Sequence, residues 1–533
     1  METSSTRSSS LSSRVPSTSS AINVSVDTVP PRTLPFCRVR GLHDNESCQT
    51  SSVSAQPPIA PSPVDAPIPI GTVVHLDPDA KFYDRDLVAG GSPWRLLRLA
   101  GGSRAVAERW LNGGVVRAGE ERFARTLVQQ GLLHLRYVDA PDIDDIDVVV
   151  PVRDDVESLR PLLVQFAGFH VTVVDDGSLD SGSLDQCAKQ FGVNLVRLDE
   201  NVGPSQARNF GARATERPFL WYVDADVEVD NAADVMHRLA AQFNDPLVGA
   251  VAPRVRGAAG SSRRDRFEQR FGPLDMGARG GLVIPGATVG YVPSACLFVR
   301  RGALGDGFDP SMRVGEDVDF VWRLHDQGWL VRYEADVVVT HPARDTWRRW
   351  LNQRVRYGES SGELAARHGT RLAPLRTDAW TLVAWSSVLL RSPMLGARIA
   401  RITRDTLRSR LGPSSDDPDQ VASAMVSRGL LRAGGPLARS VVRTYGPLVL
   451  VAAFHPKLRR RALALFALGT AWRWQKVRVH VSDIPLAVAD DAAYGLGVWR
   501  GAWRAKSARA LTPSITKSSI GLRDVLGLTP QGR

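Results

Sequence analysis

A chain of 533 residues with an ordinary hydrophobic fraction of 43% has room for two to four domains and at least one large core. The formal net charge of +11, carried mostly by arginine, points to anionic partners such as phosphates, nucleic acid or an acidic membrane surface without choosing among them. The four cysteines, Cys37, Cys48, Cys187 and Cys296, form no Cys-x-x-Cys pair, so nothing indicates a zinc site or a disulfide scaffold.

Met1 to Ser20 is rich in Ser and Thr and lacks the apolar core of a signal peptide. No apolar run reaches the length that crosses a bilayer unbroken. The chain therefore reads as cytoplasmic. Residues 1–66 lack any periodicity and are expected to be a disordered tail. From Ile68 the texture changes. Thr72 to Leu76 predicts a strand, and Ser92 to Leu99 a helix opened by Ser-Pro. Ser103 to Leu111 predicts a second helix and Glu120 to Gln130 a third, before a closing strand at Leu132 to Tyr137. The order over residues 67–140 resembles a winged helix. It is similar to the small domains, like the pyrroloquinoline quinone chaperone, that hold precursor peptides. A packing or dimerisation domain is the alternative.

Residues 141–370 alternate strand and helix. Strands are expected at Ile146 to Val152, Val171 to Val174, Asn194 to Leu198 and Phe219 to Val223, with helices at Asp155 to Ala167 and Ser205 to Thr215. That alternation predicts an α/β fold with a parallel sheet covered on both faces. Asp175-Asp176 closes one strand and Asp224-Ala225-Asp226 another. Side chains at i and i+2 of a strand share a face, so Asp224 and Asp226 are expected to project together into the crevice where open α/β sheets bind ligands. Two hard oxygen donors there suit a divalent cation holding a phosphate. Four carboxylates along one edge would repel one another unless a cation or a hydrogen-bonded ligand sat among them.

Further along, Tyr291 to Arg300 predicts a strand. Glu316, Asp317 and Asp319 open a helix with more acid than its dipole needs. Val331 to Thr340 is a strand that ends in His341, a candidate site residue with a structural histidine as the alternative. Gln353-Arg354-Val355-Arg356-Tyr357 interleaves arginine with an aromatic ring on a helix, which suits a phosphate and a sugar, or an amphipathic surface.

Together these motifs resemble the family 2 glycosyltransferases, whose fold is the Rossmann-like GT-A fold, over about residues 145 to 358. The resemblance implies a donor site at Pro151 in the first strand and at Asp175 and Asp176 in the uridine-binding turn. It extends that site to Gly203, Arg208 and Asn209 on the donor-pocket helix, and to Asp224. It implies a divalent cation, Mg2+ or Mn2+, held by Asp226 with His341, and Asp317 as the catalytic base. Glu316, Gln353, Arg354, Arg356 and Tyr357 fall to the acceptor, with Tyr357 standing where chain-forming members carry Trp. A peptide-recognition-like domain ahead of such a transferase resembles the mycofactocin-system glycosyltransferase family. That likeness implies a UDP-sugar donor, UDP-glucose by preference, and a peptide-derived redox cofactor or its precursor as acceptor. It also implies a short β-linked oligosaccharide as product and no nucleic acid partner.

The implied reaction is a single displacement with inversion. It needs one base, not the paired carboxylates of a double-displacement hydrolase. Residues 371–533 carry no family motif and read as a helical region. Its short apolar runs, flanked by Arg and Trp, suit either helices lying at the inner face of the plasma membrane or a soluble subdomain. Nucleotidyl transfer is a second enzymatic reading, but no basic Gly-rich triphosphate loop is present. A cell-envelope polysaccharide or glycolipid transferase is a third. A non-catalytic peptide-binding scaffold is the remaining one, and intact Asp176, Asp226 and Asp317 weigh against it.

Overall fold

A computed structural model describes residues 36–37, 61–62, 66–83, 86–99, 102–389, 392–412, 417–476 and 481–516. Most of the expected tail lies outside the described residues, although Phe36–Cys37 forms a short strand, β1. Next come β2 (Val73–Leu76), β3 (Lys81–Phe82), β4 (Leu87–Gly90), β5 (Arg95–Arg98), α1 (Ser103–Arg109), β6 (Gly114–Val115), α2 (Glu121–Gln129) and β7 (Leu133–Arg136). They make two small sheets, ordered β1-β5-β4-β3 and β6-β2-β7. The helix expected from Ser92 is strand β5, so the described residues of this part of the chain form two helices, not three. Pairing of Arg95 to Arg98 with Leu87 to Gly90 buries Leu96 and Leu97 and overrides the local Ser-Pro start signal.

The central sheet starts with β8 (Ile146–Val152). Then follow α3 (Val156–Gln165), β9 (His170–Asp175), α4 (Ser181–Phe191), β10 (Asn194–Arg197), α5 (Pro204–Arg213) and β11 (Phe219–Val223). The second half holds α6 (Ala232–Ala240), β12 (Val248–Gly257), α7 (Arg263–Phe271), β13 (Gly281–Leu282), β14 (Cys296–Arg300), α8 (Glu316–Asp326) and β15 (Leu330–His341). The strand order is β10-β9-β8-β11-β14-β12-β15-β13. β10, β9, β8 and β11 run parallel, but β14 is antiparallel to both of its neighbours, so the sheet is mixed, not wholly parallel. β8 and β11 are buried runs of Val, Ile, Leu and aromatic residues, as strands covered on both faces must be. One core, around Val148, Leu163 and Trp221, fills one face; the other, around Val149, Tyr222 and Phe320, fills the opposite face. The parallel strands end together, and their C-terminal edge is the crevice.

The remaining elements are α9 (Trp347–His368), β16 (Arg376–Asp378), α10 (Ala379–Leu389), α11 (Pro393–Leu411), α12 (Pro418–Arg443), α13 (Gly446–Phe454), α14 (Arg459–Lys476), α15 (Ile484–Arg504) and β17 (Ser514–Thr516). Neither the two small N-terminal sheets nor the late helices stand apart from the central sheet among the described residues. Arg125 of α2 makes a two-pronged, fully buried ion pair with Asp245, both contacts at 2.8 Å. Leu87 and Leu96 pack with Leu407 and Val421 of the late helices. α15 lies against α9 with almost no gap. A Cβ on Gly358 or Gly362 would collide with the backbone of Tyr494 or Gly501, and one on Gly497 or Gly501 with that of Val355 or Glu359. Only glycine lets the two backbones approach so closely.

Candidate active site

β11 stops at Val223, and Asp224-Ala225-Asp226 forms a turn in which the Val227 amide donates to the Asp224 carbonyl at 3.0 Å. The two aspartates therefore do not share a strand face, as the i, i+2 spacing had implied; the chain has left the strand before it reaches them. Asp224 accepts from Arg208 Nη2 at 2.6 Å, while Arg208 Nη1 reaches Glu316 Oε1 at 3.1 Å. Asp226 turns the other way. Its Oδ1 lies 3.3 Å from His341 Nε2 and its Oδ2 3.6 Å from Arg344 Nη1.

His341 is the last residue of β15. Its Nδ1 donates to the Pro342 carbonyl at 2.9 Å, which leaves Nε2 as the nitrogen facing Asp226. Burial works against charge on this imidazole, but the hydrogen bond and charge of Asp226 outweigh it and raise its pKa. Asp226 is likewise disfavoured by burial, yet His341 and Arg344 hold its pKa below the usual carboxylate range. A carboxylate oxygen and an imidazole nitrogen converging at a sheet edge are a donor set that suits a divalent cation. Among the described residues no third His, Cys, Asp or Glu completes a closed cage. Any ion here would take its other ligands from water or from a bound substrate.

α8 opens on the acidic cluster, and its three acids separate. Glu316 faces Arg208. Asp319 is claimed by Arg323 and His368, each at 2.8 Å, and so belongs to the fold. Asp317 is half-buried and accepts from the Val318 amide at 2.8 Å. Burial, and after it the negative charge of Glu316, push its pKa up to about 7. Two phenols share its surroundings. Burial raises the pKa of Tyr291 to about 12 and that of Tyr357 as well, and the Asp317 charge adds to both shifts.

Several residues assigned to ligands by resemblance are occupied inside the protein. Asp175 is fully buried and accepts from the Ser178 amide at 2.9 Å and Arg197 Nε at 3.0 Å. The Asn209 amide closes two hydrogen bonds with the Phe308 backbone, at 2.7 and 2.9 Å. Arg208 is buried between its two carboxylates. These three shape the crevice wall; the charges expected to need a cation at Asp175-Asp176 are satisfied by protein groups. Asp176 accepts from the Val202 and Gly203 amides at 2.8 to 3.2 Å. Its two oxygens retain lone pairs for a ligand. Gly203, at φ 94°, turns the chain into α5 where a side chain would be strained. Pro151 is half-buried in β8, paired with Val174.

Arg354, expected to face an acceptor, is instead wholly buried. Its guanidinium binds Asp490 at 2.6 Å and Gln353 at 3.0 Å, pairs with Glu268, and lies over the Trp350 ring. Gln353 and Tyr357 do meet, one turn apart, with the Gln353 amide donating to the phenol at 3.1 Å. Arg356 is exposed on the outside of the same helix. Glu268, Asp490, Arg344 and Tyr291 were not found from sequence. The first two carried a signal: each is an acid set within an apolar helix face, Glu268 between Phe267 and Phe271 and Asp490 among alanines.

A model of the family described as glycosyl transferase family 2 matches residues 147–308. A pre-mycofactocin glycosyltransferase of Mycobacterium tuberculosis is 34% identical over 478 residues, covering 84% of this chain and 98% of that relative. The chain belongs to glycosyl transferase family 2. A poly-β-1,6-N-acetyl-D-glucosamine synthase of Staphylococcus aureus is 21% identical over 243 residues, 43% of this chain and 58% of the relative. Among solved structures, a mannosyltransferase of Pyrobaculum calidifontis in complex with GDP-Man and Mn2+ superposes with a TM-score of 0.41 at 17% identity, over 69% of this chain and 90% of its own. The protein is a glycosyltransferase with the GT-A fold.

Proposed function

We propose that the protein transfers a hexose, glucose by preference, from a UDP-sugar to a peptide-derived redox cofactor or its precursor, with inversion at the anomeric carbon. The observation that carries this reading is the placement of Asp317. A carboxyl with a pKa raised to about 7 stands beside the Asp224–Arg208–Glu316 bridge at the mouth of a GT-A crevice. A base is most effective when its pKa lies near the working pH, because it is then both available and strong enough to take the proton. Asp317 removes the acceptor hydroxyl proton as that oxygen attacks, while Arg208 keeps neighbouring Glu316 paired. Tyr291 and Tyr357 flank the attacking sugar and exclude water from it.

Asp226 and His341 would hold a divalent cation, Mg2+ or Mn2+, which when bound neutralises the diphosphate of the donor. Arg344, half-exposed next to Asp226, adds a guanidinium suited to the same diphosphate. Asp176 lies where the uridine is expected, with free acceptor capacity for its base. The pre-mycofactocin acceptor rests on the similarity to the pre-mycofactocin glycosyltransferase of Mycobacterium tuberculosis and on the share of both chains that the match covers. The N-terminal segment, bonded to the transferase through Arg125 and Asp245, is the part we assign to holding the peptide portion of that acceptor.

The test is incubation of the full chain with a panel of UDP-sugars and a pre-mycofactocin acceptor, with and without Mn2+, measuring UDP release and product mass. Acceptor-dependent UDP release with one sugar, together with the matching mass gain, is the expected result. UDP release that never depends on the acceptor, or a pyrophosphate product, would overturn it.

A further inference from the structure

The stretch from residue 420 to residue 482 contains no Asp or Glu. Within it, α13 reads Gly-Pro-Leu-Val-Leu-Val-Ala-Ala-Phe and leaves much of its apolar surface outside the protein: Val451 is 70% and Phe454 82% exposed. Leu450 is exposed beside them. A His455-Pro456 turn then leads into Lys457, Arg459, Arg460 and Arg461, all of them exposed. Apolar side chains and four cations thus share one corner of the molecule, at the turn between α13 and α14, and no acid of this stretch neutralises them.

We propose that this corner docks on the surface of an anionic lipid bilayer. A bilayer of that kind supplies both complements at the right depths. The acyl boundary takes Leu450, Val451 and Phe454, while the headgroup phosphates take the four cations, whose long stems let the charge stay at the polar level. The proposed contact is with the surface. Among the described residues no single helix is long and apolar enough to cross; α12 and α13 reach that length and hydropathy only together, and they are bent by 68° at their junction. α14 packs on α12 and α13, α13 packs on α15, and α15 packs on α9. The docked corner is therefore mechanically continuous with the helix that carries Tyr357.

The experiment is flotation of the full chain with phosphatidylcholine vesicles and with vesicles in which about a third of the lipid is phosphatidylglycerol. Binding to the anionic vesicles, at least tenfold weaker on the neutral ones and weakened by salt, is the expected result. Phe454→Asp, and separately Lys457, Arg459, Arg460 and Arg461 all changed to Gln, should each lower that binding at least tenfold. The thermal unfolding midpoint should stay unchanged, because these side chains already face solvent. Absence of flotation, or wild-type affinity in Phe454→Asp, overturns the proposal. So does a dimer in sedimentation that Phe454→Asp dissolves while no vesicle binding is seen. Amide exchange over residues 446–461 that is equally slow with and without vesicles would show the face covered by the protein itself, and would also overturn it.

Discussion

Asp224 and Glu316 are held by one guanidinium: Arg208 donates to the first at 2.6 Å and to the second at 3.1 Å. The first acid opens the turn after β11 and the second opens α8. A single buried cation therefore fixes the distance between the two acidic motifs of the crevice. Its own burial opposes its charge, but Asp224, Glu316 and Asp317 together hold it firmly protonated. Removing one partner of a buried network leaves the others charged and unpaired. Arg208→Ala should destabilise the fold by about 3–5 kcal/mol, read as a shift of the denaturant midpoint. Arg208→Lys should recover part of the stability but little activity, because a point charge cannot serve two carboxylates in a fork.

Asp226 should behave differently. It is a crevice group with one partner, Arg344, exposed at the rim and the other, His341, largely buried. Asp226→Ala is expected to abolish transfer and to weaken Mn2+ binding, followed by the electron paramagnetic resonance of the free ion, while the unfolding midpoint moves little. Wild type in excess chelator should lose activity and regain it on adding Mn2+. A variant that keeps full activity, or a wild type indifferent to chelator, would remove Asp226 from the site.

For Asp317 the pH dependence has a definite sign. Burial and Glu316 raise its pKa to about 7, so the carboxyl is protonated below that pH and ionised above it. A general base works only when ionised. Activity, as kcat/KM, should therefore rise as pH increases through about 7 and level off above about 8. Asp317→Asn should lower kcat by about 10²–10⁴-fold with donor binding nearly unchanged, and should flatten the pH profile. An unchanged kcat with a collapse of donor affinity would place the residue at the donor instead.

Tyr357 is the residue we connect to product length. It meets Gln353 on the inner side of α9 and shares its surroundings with Asp317. A sugar stacked on that ring is in position to become the next acceptor. Wild type is expected to give a ladder of oligosaccharides by mass spectrometry, and Tyr357→Ala to stop after one or two additions. One sugar from wild type at long times in excess donor would end the chain-forming reading.

β8, β9 and β11 were legible because each is a short, mostly buried run rich in Val, Ile or aromatic residues, and such a run has few other stable environments; β12, whose apolar residues are interrupted by Gly249, Pro253 and Arg254, and the two-residue β13 were not expected from sequence. The positions of Asp176, Asp226 and Asp317 followed, since each sits just past the end of a strand or at the start of a helix. Helix α4 was passed over although Leu184, Cys187 and Ala188 recur at helical spacing between an Asp180 cap and a Gly192 stop; its other residues are mostly small or polar and hide the stripe. The Ser-Pro pair at Ser92 misled because strand pairing with β4, a contact made after the local choice, decided the outcome. The roles of Asp175, Asn209 and Arg354 were hidden for the same reason. Their partners, Arg197, Phe308 and Asp490, are set by tertiary packing, and Asp490 in particular lies far along the chain. A motif says which side chains recur together; it does not say which of them face inward.

The glycine contact between α9 and α15 has a consequence for the order in which the protein is made. The wall of the crevice that carries Tyr357 is packed by Asp490 and by Gly497 and Gly501, which leave the ribosome well after Tyr357 and the strands of the sheet. A nascent chain that has emerged only as far as α14 already holds the sheet, the acidic turn and Asp317, but Arg354 still lacks Asp490. Packing of α15 on α9 therefore follows the synthesis of every residue of the family 2 motifs. A chain that stopped before α15 would keep those motifs and lose the surface against which α9 packs.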